Sequence, residues 1–304
     1  MNSNPTYDRV DVSVVMSIWQ GDKSVLLALS LNSVIAQTKA PSEVVIVVDG
    51  PIGEELNREV RNFVDVSGIR TVLKQLETNR GLWNARNLGL ELASNELVAL
   101  HDADDVMHPL RLELQVRQLM HDQVDVLCSG ALEFSTKDQT IKGMRLMPMF
   151  DRLGRVRLRV INPINHSSVL FRKSAVLRVG GYRNFSGAED LDLWRRLAWN
   201  DLRFGSGRAI LQALGSDSSL LNRRRLTMSI VRSELHLMTQ SIRYHGKLTA
   251  VAELGILFVR LGYRVLPRPL MAASQSIVFR RRPCRNVKTL HEFLVGSPIE
   301  VASC

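Results

Sequence analysis

Four short, strongly apolar runs alternate with helical stripes in the first third of this chain, and the last run breaks on a knot of acids. Residues 12–18 form a short β-branched run, and residues 44–48, Val-Val-Ile-Val-Val, form a second. Residues 71–76 and 97–100 read as a third and a fourth strand. Between them, Leu26, Leu27, Leu31, Val34 and Ile35 mark an apolar stripe over residues 23–38, with Asp22 placed to cap it. Residues 54–64 and 82–93 read as two more helices. Continuous apolar strands separated by helices imply an α/β fold, with a parallel sheet covered on both faces. In such sheets the ligand lies outside the carboxyl ends of the strands. Two of those ends carry acids here: Asp49 after the second run, and His101-Asp102-Ala103-Asp104-Asp105 after the fourth.

Three carboxylates within four positions repel one another unless a cation or hydrogen-bond donors offset them. Oxygen-only ligands suit Mg²⁺ or Mn²⁺ shared with substrate phosphates; the plainer alternative is a solvated acidic turn ahead of the helix over 110–120. Asp49 has the position to accept hydrogen bonds from a nucleotide, or to make an ordinary Asp-Gly-Pro turn. The first turn, residues 17–23, contains neither G-x-G-x-x-G nor G-x-x-x-x-G-K-[ST], so neither a dinucleotide fold nor a P-loop is supported. Further on, strands are expected over 124–134, 143–149 and 168–171. A helix over 191–199 opens just after Glu189 and Asp190. Acids at a helix start are favoured by its dipole; facing a cleft, one of them can serve as a general base.

Taken together, these pieces resemble family 2 glycosyltransferases of the GT-A fold, from about residue 12 to about residue 222. The resemblance rests on Val12-Ser13-Val14-Val15-Met16-Ser17, the Ser33–Thr38 helix end, and residues 44–50. It continues through Asn79-Arg80-Gly81-Leu82, Ala85-Arg86-Asn87, Asp102–Asp105, and Gly180-Gly181-Tyr182 followed by Glu189-Asp190. It implies a Rossmann-like, mostly parallel central sheet and transfer of a sugar from a nucleotide-sugar donor, usually a UDP-sugar, to a hydroxyl with inversion. Ser17, Ile18 and Trp19 would then line the nucleotide pocket, Asp49 would hold the base, and Arg80 would contact the donor. Asp102 would touch the ribose. Asp104, with Asp102 and Asp105 beside it, would hold Mn²⁺ or Mg²⁺. Asp190 would be the base, with Glu189 shaping its surroundings, and His166 is a candidate substrate contact. Many relatives carry Pro-x-Tyr-Asn where this chain has Ser17-Ile18-Trp19-Gln20, and a Tyr-Arg-x-His segment where it has Leu221-Asn222-Arg223-Arg224-Arg225, which leaves a third metal ligand unassigned. The Gln-x-x-Arg-Trp motif of processive relatives is absent, which favours transfer of a single sugar. Two other readings remain: a non-catalytic relative that binds nucleotide or membrane, and a nucleotidyltransferase. For the latter, only Lys23 is offered near the first strand.

The division expected is a catalytic domain over 1–222, with a nucleotide-sugar half to about 106 and an acceptor half from about 107, and a basic, mainly helical region over 223–304. The net charge of +10 is concentrated in the second part, where residues 223–285 hold thirteen Lys and Arg against Glu234 and Glu253 alone. A basic segment attracts polyanions. Base-reading motifs and aromatic stacking platforms are lacking, so nucleic acid is not the expected partner. Residues 254–266 mix Leu, Ile, Phe and Val with Arg260 and Arg264, and no apolar run reaches the ~18 residues of a spanning helix. That pattern suits either a helix lying on an anionic membrane or one packed on the catalytic domain with its arginines turned outward. Three scattered cysteines, Cys128, Cys284 and Cys304, and a polar start of the chain fit a reducing compartment. The expected location is therefore cytoplasmic, peripheral on the inner face of the cell membrane. A lipid-linked saccharide in exopolysaccharide, capsule or O-antigen assembly is the expected acceptor.

Overall fold

The computed structural model of the protein describes residues 9–146, 158–185, 187–216, 227–266, 270, 281–284 and 287–300. Strands β1 (Arg9–Ile18), β2 (Ala40–Val48), β3 (Arg70–Gln75) and β4 (Leu97–Asp102) lie in the order β3-β2-β1-β4, all parallel. Helices α1 (Ser24–Ile35), α2 (Glu54–Val66) and α3 (Leu82–Leu92) connect them. Asp22 does not cap α1. Its carboxylate accepts the Trp19 N–H at 2.9 Å and closes the turn after β1, while Lys23 is the capping residue and makes no side-chain bond to the helix end.

Strand alternation explains how this sheet is buried on both sides. Val12, Val14, Met16 and Ile18, with Val44, Ile46 and Val48, pack under α1, α2 and α4 (Arg111–Asp122). Val15, Val45 and Val47 pack on the other face against α3, α5 (Lys173–Arg178) and α6 (Glu189–Trp199), where Trp194 is fully buried.

Beyond β4 the sheet becomes mixed. Strand β8 (Val169–Arg172) runs antiparallel between β4 and β6 (Val126–Ser135), and β7 (Ile141–Arg145) pairs antiparallel with β6. The strand expected over 143–149 thus begins two residues earlier, and its last three positions lie outside the described residues. A long strand that the sequence pattern does not predict, β9 (Phe204–Ser216), lies parallel to β6 and also pairs with the two-residue β5 (Val106–Met107).

The C-terminal region is joined to this sheet. Helix α7 (Met228–His245) packs against α8 (Ala250–Val265), β10 (Arg281–Arg282) pairs with β7, and β11 (Ile299–Glu300) pairs with β9. Leu290 and Phe293 of α9 (Leu290–Val295) share a core with Leu26, Val106 and Phe134. The boundary expected at residue 222 falls outside the described residues. No helix among the described residues is long and apolar enough to cross a membrane.

Candidate active site

At the carboxyl ends of β1 and β4 the chain encloses a cavity of about 740 Å³, lined by Ser17, Trp19, Arg86, Asp102, Asp104, Asp105, His166 and Asp190 among others. Ser17 and Asp102 are register partners on neighbouring strands, so the end of β1 delivers a hydroxyl beside the first acid of the loop. Alternation then decides their neighbours. Ile18 turns to the opposite face and is fully buried among Leu27, Ile46 and Val48, so its side chain is part of the core instead of the pocket. His101, likewise turned away from Asp102, sits against Ser30 Oγ at 2.9 Å; burial first, then Arg111, lowers its pKa to about 3 and keeps it neutral.

The three acids of the loop have different surroundings. Asp105 is buried and accepts from the Ser167 hydroxyl and from the Gly215 N–H at 3.0 Å, so both of its oxygens are engaged by the protein. Burial, then Asp104 and Asp102, raise its pKa well above the usual carboxylate range. Gly215 is required at this contact, since a Cβ there would lie 2.4 Å from the Asp104 carbonyl oxygen. Asp102 receives one arm of the Arg86 guanidinium at 3.3 Å, and the other arm reaches Glu189 at 3.3 Å. Arg86 also lies 5.6 Å from the centre of the Tyr182 ring. Burial alone would weaken its charge, but Asp102, Tyr182, Glu189 and Asp190 more than offset this, and its pKa stands above the ordinary value. Glu189 is pushed up by burial and then by Asp190, with Arg86 pulling the other way.

Asp190, at the start of α6, lines the cavity and accepts from Asn162 Nδ2 at 2.6 Å. His166 presents Nε2 to the Tyr182 hydroxyl at 2.9 Å. Its Nδ1 is buried with no hydrogen-bond partner among the described residues, 4.0 Å from Asp102. Burial and then Arg86 lower its pKa well below the usual imidazole value, so the ring is neutral. Ser17 Oγ is a second cavity-lining atom buried without a partner among the described residues. Buried polar groups are ordinarily satisfied, so two such atoms on one cleft are what a cleft built for a polar ligand would contain.

Asp49 and Arg80 stand apart. Asp49 is 4% exposed and does not line the cavity; its carboxylate accepts the backbone N–H groups of Arg80 at 2.7 Å and Gly81 at 2.9 Å. Neighbouring Gly50 has φ +89°, and a Cβ there would lie 2.7 Å from Asn79 N, so the two loops are pressed together. Arg80 is an exposed residue of that clamped loop. The residues expected from sequence thus divide: Ser17, Trp19, the acidic loop, His166 and Asp190 meet at one cleft, while Ile18, Asp49 and Arg80 lie outside its lining. Sequence pattern assigned no role to Arg86, Asn162 or Ser167. For Arg86 a signal was present: a cation on the buried stripe of α3, alongside Ala85, Gly89 and Leu90.

Among the described residues, no three metal-ligating side chains converge. Asp104 and Asp102 offer only carboxylate oxygens to the cleft. Such a set fits a hard divalent cation that takes the rest of its ligands from a diphosphate and water, the usual habit of Mg²⁺.

An open α/β sheet with an acidic loop at its switch edge and a carboxylate at a helix start across the same cleft is the arrangement of a glycosyltransferase of the GT-A fold. The chain belongs to glycosyl transferase family 2, whose family model matches residues 13–180, and it is a glycosyltransferase. It is 30% identical over 225 residues to the amylovoran biosynthesis glycosyltransferase AmsE of Erwinia amylovora, covering 74% of this chain and 83% of that one. A second relative, the UDP-Gal:alpha-D-GlcNAc-diphosphoundecaprenol beta-1,3-galactosyltransferase of Escherichia coli, is 26% identical over 279 residues, 90% of this chain and 98% of its own. Among solved structures, S. aureus TarS 1–349 in complex with UDP-GlcNAc superposes with a TM-score of 0.62 at 17% identity, over 83% of this chain and 72% of that one. The mannosyltransferase PcManGT from Pyrobaculum calidifontis, in complex with GDP-Man and Mn²⁺, does so at 0.57 and 18%, over 90% and 81%.

Proposed function

We propose that this glycosyltransferase moves a single sugar from a UDP-sugar, with a divalent cation and with inversion, to a hydroxyl of a lipid-linked saccharide in surface-polysaccharide assembly. The observation that carries the reading is that Asp104 and Asp190, from opposite halves of the chain, line one cleft together with Ser17 and Trp19. The UDP-GlcNAc bound to TarS and the diphosphoundecaprenol acceptor in the name of the Escherichia coli relative support the donor and acceptor classes.

Trp19 offers a ring for the base to stack on, and Ser17 Oγ and His166 Nδ1 offer polar atoms to the ribose, diphosphate or sugar. Asp49 acts at one remove, by holding the 79–81 loop. Asp104 and Asp102 would hold the cation, and Asp105 fixes their loop to β9. A cation bound there offsets the negative charge that builds on the leaving diphosphate. Asp190, oriented by Asn162, takes the proton of the acceptor hydroxyl as that oxygen attacks the anomeric carbon from the face opposite the departing nucleotide. Arg86 keeps Asp102 and Glu189 in register, so donor loop and base helix are set by one cation.

The outer face of α8 supports attachment at a membrane. Val251, Leu254, Phe258 and Val265 form its exposed stripe, with Phe258 at 67% exposure. Arg260 and Arg264 face the opposite way, into the protein, where both pair with buried Glu234. The helix is thus packed on the domain with its arginines inward and its apolar stripe outward, whereas the packed alternative read from sequence had its arginines turned outward. An apolar stripe within a basic region suits an anionic bilayer.

The test is UDP release from a panel of UDP-sugars by the purified full chain, with Mn²⁺ or Mg²⁺. Loss of the base in Asp190→Asn is expected to slow turnover about 10²–10⁴-fold. Full activity in that variant, or no UDP release under any condition, overturns the reading.

A further inference from the structure

Tyr182 is buried and does not line the cavity, yet it bears on the cleft through a single bond. Its main chain is clamped by Asn87 of α3, whose Nδ2 donates to the Tyr182 carbonyl at 2.8 Å and whose Oδ1 accepts the Tyr182 N–H at 2.8 Å. From that anchor the phenol oxygen meets His166 Nε2 at 2.9 Å, its sole hydrogen-bond partner among the described residues. A buried O–H ordinarily has an acceptor, and Nε2 can be one only when it carries no proton. The imidazole then bears its single N–H on Nδ1. The other edge of the ring favours the same choice. Nδ1 lies 4.0 Å from Asp102 Oδ2, where an N–H is attracted and a bare lone pair repelled. The ring also packs against Tyr182 and Trp194, with centroids 5.7 and 5.9 Å away, which hold its plane.

The turn His166–Ser168 thus meets the acidic loop at two of its acids. Ser167 donates to Asp105, and one residue earlier the Nδ1–H of His166 faces Asp102, whose other oxygen receives Arg86 at 3.3 Å. At 4.0 Å the imidazole and Asp102 attract without a formed hydrogen bond, which needs about 3 Å. A small movement of the Asp102 side chain, a third of which is exposed, completes it. We propose that Tyr182 is a positioning residue: by donating to Nε2 it fixes His166 as the Nδ1–H tautomer, and that N–H sets the Asp102 carboxylate for nucleotide binding. The assignment rests on the nucleotide-sugar role proposed for the cleft and adds a residue outside the lining that tunes it. Asn87, by clamping Tyr182, carries the same control back to α3, the helix that also supplies Arg86.

The test has a spectroscopic arm that needs no ligand. Long-range ¹H–¹⁵N correlation spectra of the full chain in EDTA, with the His166 signals assigned by their loss in His166→Asn, should show the proton on Nδ1 and a bare Nε2. In Tyr182→Phe the Nε2 signal should move toward that of a nitrogen with no donor. A proton on Nε2 in the wild type, or an Nε2 signal indifferent to Tyr182→Phe, overturns the assignment. The second arm is calorimetric titration with UDP and Mn²⁺. An Asn amide can place its NH₂ where Nδ1 stands, whereas a Gln amide reaches the place of Nε2. His166→Gln should therefore weaken UDP–Mn²⁺ about tenfold, the range for one lost hydrogen bond to a charged group, and His166→Asn should lose less. Tyr182→Phe alone should weaken binding severalfold and add nothing in the His166→Asn background, because an amide has no tautomer to set. Additive losses, or Gln retaining more affinity than Asn, overturn the assignment; the wild-type spectrum and the two His166 variants decide it even where Tyr182→Phe does not fold. Failure of the wild type to bind UDP–Mn²⁺ removes the donor reading, and the spectra still decide the tautomer.

Discussion

Replacing Arg86 with methionine keeps the volume on α3 and removes the cation between Asp102 and Glu189. Both contacts are 3.3 Å, with the Arg86 side chain 7% exposed, Glu189 16% and Asp102 33%. At an effective dielectric constant of about 20, each contact corresponds to about 5 kcal/mol of attraction before desolvation is charged against it. Breaking one partner out of a buried pair costs about 3–5 kcal/mol in practice, and solvent around Asp102 brings the expected loss to about 3 kcal/mol at pH 8. The loss depends on pH. Glu189 already has a raised pKa in the folded chain, and losing Arg86 raises it further. A carboxyl that is raised on folding binds its proton more readily when folded than unfolded, so its penalty is present at high pH and fades as pH falls through the folded value. Urea denaturation of wild type and Arg86→Met at pH 8 and pH 5.5 measures this, with the gap between the two proteins expected to narrow at the lower pH. An equal gap at both values would mean that Arg86 contributes packing alone, and the bridge between donor loop and base helix would carry no electrostatic weight.

Gly215→Ala should drive a methyl into the Asp104 carbonyl and displace the acidic loop; UDP–Mn²⁺ affinity is expected to fall at least about tenfold with the far-UV spectrum unchanged. In EDTA, His166→Asn should flatten the acid-side loss of stability by up to about 1.4 kcal/mol per pH unit below pH 6.5. The reason is that the folded ring resists protonation and the unfolded ring does not. Urea midpoints from pH 7 to pH 5 report it.

What sequence alone could reveal divides along physical lines. The parallel half was legible because β1, β2 and β4 are buried on both faces and read as unbroken apolar runs, and because α2 has one apolar edge. Strand β9 was not legible: Phe-Gly-Ser-Gly-Arg at its start and Gln212 within it lack strand patterning, and its place is set by pairing with β6 and β5, which is long-range information. The acidic loop stood out by charge density, but the division of labour within it depends on Ser167 and Gly215, which are 62 and 110 residues distant from Asp105. In α8, period alone separates an arginine face from an apolar one. It cannot say which face meets the protein, and here buried Glu234 decides it.

The carboxylate of Asp49 is spent on two main-chain amides, and that choice has an evolutionary consequence. A corner of the nucleotide end is held by backbone, whatever side chain stands at position 80. Residue 80 can therefore be exchanged without rebuilding the loop, because the two amides that Asp49 holds do not depend on the side chain there.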